Sequence, residues 1–162
     1  MKKTATLLFS LIVLSLITGS CDDNQTFTQM KAIENMLFMK IRDYRAAENG
    51  STLAVNLDTM VKEAQLYSYK MANGVVDVGT AGLAEHWEVI HDHWGGTNDV
   101  SVVLLYPTDG VNPITADMIF SAMTADSAIN QALLSDVSIC GIGIESDSIG
   151  NAYVTYLAML VE

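Results

Sequence analysis

The last stretch of the chain constrains the fold most. Val137–Ile144 and Ala152–Val161 read as two strands joined by a turn at Asp147–Asn151 built on Gly150. In the second strand Tyr153, Thr155 and Leu157 alternate with Val154, Tyr156 and Ala158, so neither face of the hairpin is polar enough to meet water. A sheet that is apolar on both sides needs a helical layer on each. The remaining residues must supply those two layers.

The helical periods are legible upstream. Met30, Ile33, Leu37, Ile41 and Tyr44 recur at steps of three and four, and Asn49-Gly50 closes that helix because Asn and Gly enter the left-handed region cheaply. A second helix opens at Asp58, read as its N-cap, with Val61, Ala64, Tyr67, Ser68 and Met71 towards one side, and closes at Asn73-Gly74. Val75–Val78 has the composition of a short strand. Glu85–His93 reads as a short helix docked through Trp87, Ile90 and Trp94 and broken by Gly95-Gly96. Val100–Tyr106 is an apolar β-branched run suited to a buried strand, and Pro107–Pro113 is a loop. Thr115–Leu134 is helical with a kink near Thr124-Ala125-Asp126. The expected fold is α/β (α+β): a three-layer α-β-α sandwich around a small, mostly antiparallel sheet.

The first twenty residues stand apart from that domain. Lys2 and Lys3 precede an apolar run, Leu7–Ile17, too short to span a bilayer, and small residues lead to Cys21. The layout is that of an export signal, and its ending on cysteine resembles a bacterial lipobox with Cys21 as the lipidated residue. Residues 1–20 are read as a lipoprotein signal peptide, 21–29 as a tether and 30–162 as the domain. The implied location is the cell envelope of a bacterium, outside the cytoplasm. Asp22-Asp23 resemble both an inner-membrane retention signal and a surface-display signal, and the sequence favours neither.

Charge and cysteines exclude further classes. The chain has 8 Lys and Arg against 19 Asp and Glu; removing the two leader lysines takes its net charge from −11 to −13. Such a surface repels polyphosphate, so nucleic acid is not an expected partner. With Cys21 lipidated, Cys140 is left alone, so the domain depends on its core and not on disulfides. Cys140 falls in a predicted central strand and reads as a small hydrophobe. Gly141-Ile142-Gly143 sits in the same strand with no helix after it, unlike a phosphate loop.

Several of these segments resemble one family in order. IRDYRAAENG is similar to the opening "IN.YR...G" of CAP domains (cysteine-rich secretory proteins, antigen 5 and pathogenesis-related 1, also called SCP domains) in their disulfide-free bacterial form. Met60, Ala64, Tyr67, Ser68, Met71 and Ala72 fall on "L..AA..YA..MA", and Gly96–Ser101 lies where the family has "G.GENIA". Cys140–Ile144 and Tyr153–Tyr156 resemble "IGVGVA…YWVQVF". The resemblance implies an α-β-α sandwich with a central cleft in which two histidines and one or two glutamates can hold a divalent metal. Here those positions carry other residues: Gly79 or Thr80, Asn98 followed by Asp99, Ser121–Met123, and Ala128. Gly79, Thr80, Asn98, Asp99 and Ala128 are therefore the candidate cleft of a divergent member without the metal tetrad, and no cofactor is expected.

One stretch offers a substitute. Glu85–Asp99 holds all three histidines and both tryptophans. Zinc needs three or four converging N, O or S ligands, and helical pairs normally sit at i and i+4. His86 and His91 are five apart, and His91 and His93 two apart, so neither pair shares a helical face. Glu88 and His91, at i and i+3, can meet across one turn. Two functions follow, beside a purely structural envelope role that needs no cleft. One is a non-enzymatic binding or interaction module, lipid-anchored, taking a small apolar ligand or an envelope protein. The other is a metal-assisted hydrolase using His86, His91 and His93 with Asp99 and Asn98. The sequence carries no signal of oligomeric state.

Overall fold

The computed structural model describes residues 22–49 and 55–161, with side chains for 30–48 and 57–161. Helices are α1 (Asp22–Asn49), α2 (Asp58–Ala72), α3 (Ala84–His93), α4 (Ala116–Ala125) and α5 (Ser127–Leu133). Strands are β1 (Val55–Asn56), β2 (Thr97–Tyr106), β3 (Ile139–Ser146) and β4 (Ala152–Leu160). The sheet order is β1-β3-β4-β2, parallel between β1 and β3 and antiparallel elsewhere. Helices cover both faces, as the two-sided hairpin requires.

Two separate cores flank the sheet. Ile33, Leu37 and Ile41 of α1 pack with Ile119 and Met123 of α4 and Leu133 of α5 against Ile142, Ile144, Val154 and Tyr156. On the opposite face Met60, Ala64, Tyr67 and Met71 of α2 pack with Leu83, Ile90, Leu157 and Met159. The second contact is backbone on backbone. A Cβ at Gly141 would lie 2.2 Å from the Met60 carbonyl carbon, and one at Gly143 would lie 2.2 Å from Ala64 C and Gln65 N. The two glycines of β3 thus form a groove that seats α2, and Ser68 Oγ locks it by donating to Gly143 O at 2.9 Å.

On the other face the cross-links run from ionisable side chains to backbone groups. Arg45 of α1 is fully buried; its guanidinium donates to Leu133 O, to Ser135 O at 2.8 Å and to Val137 O at 3.0 Å. It gathers the carbonyls left over where α5 ends, a favourable place for a cation. Glu34, eleven residues earlier on the same helix, accepts the Ile144 N–H at 2.9 Å where β1 has run out, and so covers the open edge of β3. Burial, only partly offset by hydrogen bonds from Ile144 and Gln65, raises its pKa above the usual carboxylate range.

Differences from the sequence expectations are local. Helix α1 starts at Asp22, so residues 22–29 of the expected tether continue the helix read from Met30. Leu57, not Asp58, is the N-cap of α2; Asp58 lies inside the first turn and pairs with Lys62 at 2.6 Å. Val75–Val78 is not a strand: Gly74 turns left-handed (φ 66°) and the chain folds back, so that Gly79 O can accept the Tyr67 hydroxyl. The kink is a full break at Asp126, whose side chain accepts from Ala128 N and Ile129 N and caps α5. Strand β1 was not anticipated, because two residues carry no period. Cys21 and the leader lie outside the described residues.

Candidate functional site

Helix α3 carries the three histidines and lies between α2 and β2. Its buried side is Leu83, His86 and Ile90, with Trp87 partly covered, whereas Trp94 stays 40 % exposed. The helix is therefore rotated from the expected Trp87–Ile90–Trp94 face and buries a histidine in place of a tryptophan. Burying an imidazole requires partners for both nitrogens. They come from α2: Glu63 Oε2 lies 2.6 Å from Nδ1 and Lys70 Nζ lies 3.1 Å from Nε2. An ammonium can only donate, so Nε2 accepts and the ring proton sits on Nδ1, donated to Glu63. Tyr67, between them on the helix, packs edge-on against the ring at 5.3 Å.

The other two histidines go elsewhere. His91 Nε2 meets Asp99 Oδ2 at 2.8 Å and the ring lies against Trp87, whose indole N–H donates to Ser101 Oγ at 2.9 Å. Asp99 can reach across because β2 is irregular between Thr97 and Val100, where Asn98 adopts a left-handed φ of 58°. Asparagine tolerates that conformation better than most residues. His93 Nδ1 donates to Val89 O at 2.9 Å, within its own helix. The three imidazoles do not converge. The physical reason is the rotation of α3: it directs His86 inward to α2, His91 sideways to β2 and His93 to the helix end.

The family-derived positions are similarly dispersed. Gly79 O accepts the Tyr67 hydroxyl at 2.6 Å and Thr80 O accepts Leu83 N at 3.1 Å, both on the α2–α3 side. Asn98 donates to Asp136 O at 2.6 Å at the sheet end. Ala128 occupies the first turn of α5, in the opposite layer. Of the candidate residues only His91 and Asp99 form a contact. Ser121, at the remaining family position, lines a shallow depression of about 480 Å³ with Tyr106, Asp117, Met118 and Ala122. Its carboxylate, Asp117, is taken by Lys40 at 2.5 Å.

A divalent metal does not fit these residues. His86 has no free lone pair, and the His91–Asp99 pair supplies two of the three or four ligands zinc needs. Among the described residues no three His, Cys, Asp or Glu side chains are grouped so that they could hold a metal ion. Cys140 is also chemically quiet: burial pushes its thiol up to about 12, against a smaller opposing pull from Arg45. Sequence reasoning missed Glu63, Lys70 and Arg45. The available signal was spacing: Glu63, Tyr67 and Lys70 recur at i, i+4 and i+7, and Arg45 follows Leu37 and Ile41 on the apolar stripe of α1.

Two helical layers over a mostly antiparallel sheet, with α2 seated on a glycine track, define an α-β-α sandwich. An outer surface protein of Borrelia burgdorferi shares the fold with a TM-score of 0.65 at 15 % identity, over 82 % of this chain and 96 % of that one. An extracellular protein of Bacillus anthracis containing an SCP domain shares it with a TM-score of 0.61 at 13 % identity, over 88 % of this chain. The match spans 45 % of the Bacillus protein. At such identities the likeness is one of fold. No family model and no curated protein matches the sequence.

Proposed function

We propose that the chain is an exported, lipid-anchored CAP-like domain of the bacterial cell envelope, acting as a non-enzymatic binding or interaction module. One observation carries this reading: the side chains that would do chemistry are spent on holding elements together. His86 ties α3 to α2 through Glu63 and Lys70, and His91 ties α3 to β2 through Asp99. The positions where the family can hold a metal carry Gly79, Thr80, Asn98 and Ala128. Cys21, after an apolar leader, supports lipid anchoring, and both fold neighbours are surface or extracellular proteins by description. The partner is an envelope protein or a small apolar ligand, since an acidic surface disfavours anions.

Calorimetric titration of zinc into the domain tests the reading. The expected result is no saturable heat in the micromolar range. A one-to-one site of micromolar or tighter affinity that disappears in His91→Ala would overturn it in favour of the metal-assisted hydrolase, with His91 and Asp99 as its first two ligands.

A further inference from the structure

One end of the molecule combines a cleft, two rigid apolar tips and the start of the chain's domain. Strand β2 ends at Tyr106 opposite Ala152, so the Pro107–Pro113 loop and the Asp147–Asn151 turn lie side by side. Thr108 N donates to the Asn151 side chain at 3.0 Å and links them. Helix α1 runs antiparallel to β3: Glu34 meets Ile144 near the end of the strand, and Arg45 meets Val137 before its start. Met30 consequently lies at the loop end, where it lines a cleft of about 320 Å³ with Val111, Pro113, Ile114 and Gly150 among others.

The two most exposed large apolar side chains among the described residues are here: Val111 at 83 % and Ile149 at 72 %. Neither sits on a loose loop. Asp109 accepts Val111 N and Asn112 N, each at 2.8 Å, and Asp147 accepts Ile149 N at 3.1 Å and Asn151 N at 2.9 Å. Each carboxylate is directed onto backbone amides beneath a tip. Helix α1 is continuous from Asp22, the residue after Cys21. Eight helical residues, Asp22–Gln29, separate Cys21 from Met30, and the helix reaches about 12 Å from Met30 to Asp22 at 1.5 Å per residue. A helical connection has no slack, so a membrane that holds Cys21 lies beside this end.

We propose that the Pro107–Pro113 loop and the Asp147–Asn151 turn form a membrane-apposed face, with Val111 and Ile149 dipping into the interface of a zwitterionic bilayer next to the anchor. The inference rests on the lipid anchoring proposed above and adds an orientation to it. A single acyl chain holds a protein only marginally, so a second, weak apolar contact has a clear use. The net charge of the domain points to a zwitterionic surface, not an anionic one.

The test uses the processed, full-length protein in phosphatidylcholine vesicles, with single cysteines introduced as Val111→Cys, Ile149→Cys and Asp136→Cys and labelled with an environment-sensitive dye. Buried Cys140 does not compete for label. Asp136 precedes β3 at the opposite end and serves as the reference. Nitroxide-bearing lipids are expected to quench dyes at 111 and 149 several-fold more than at 136. Equal quenching at all three positions overturns the proposed face while leaving the anchor intact. A spectral shift at 111 and 149 without lipid quenching also overturns it, and points to a second copy of the chain as the occupant. Failure of the protein to float with vesicles, or unchanged flotation of Cys21→Ser, removes the anchoring on which both readings rest.

Discussion

The two faces of the sheet are held by opposite means. On the α2 side, two glycines let the helix backbone touch the strand, and the buried polar side chains are Ser68 on Gly143 O and His86, which Glu63 and Lys70 satisfy. On the α1 side, bulky apolar side chains keep helix and sheet apart, and an ionised group is brought fully inside. The comparison shows why charge can be buried on one side only. Where backbones touch there is no room for a guanidinium. Where Leu37, Ile41 and Met123 hold the layers apart, Arg45 can reach the carbonyls of Leu133, Ser135 and Val137.

Substitution should separate the two arrangements. Gly143→Ala places a methyl group inside the Ala64–Gln65 backbone, which cannot move as a flexible side chain would. A loss of about 3 kcal/mol or more is expected, a large share of a typical domain's stability, read as the urea midpoint. A midpoint shift below about 1 kcal/mol would mean that α2 can lift off the strand. Arg45→Met keeps the apolar stem and removes the donors. Stranding the carbonyls of Leu133, Ser135 and Val137 should cost about 2–3 kcal/mol. If this variant is as stable as the parent, the buried cation is not what closes that face.

The smallest effect is a pH dependence. The folded-state pKa of Glu34 is raised, so between its unfolded value and that raised value the folded protein holds the extra proton. Stability contributed by the protonated form is fully present below about pH 4.5 and is lost as pH rises through the folded pKa. Glu34→Gln, which cannot ionise, should flatten this part of the stability–pH curve. An unchanged curve would remove Glu34 from the account and leave the edge of β3 guarded by geometry alone.

The fold was legible because its strongest signals are periods: the steps of three and four in α1 and α2, and a hairpin apolar on both faces. What was illegible depended on pairing. The sequence put Trp87, Ile90 and Trp94, not His86, on the docked face of α3, because the partners that let His86 be buried, Glu63 and Lys70, lie sixteen or more residues away in sequence. The rotation of α3 follows from that pairing, and with it the divergence of the three imidazoles. Gly141 and Gly143 were visible as a motif, but the reason for them lies in the helix that rests on them.

The glycine track also has a dynamic consequence. At Gly141 and Gly143 the backbones of α2 and β3 meet with no side chain of the strand between them, so the two elements are expected to move together. Breathing is expected first in the other layer, where side chains of the strand and helices keep the backbones apart and α1 and α4 can part. Amide exchange should find the slowest protons along Met60–Ala64 and its facing strand, and a guest entering the domain has only one side on which the wall can give.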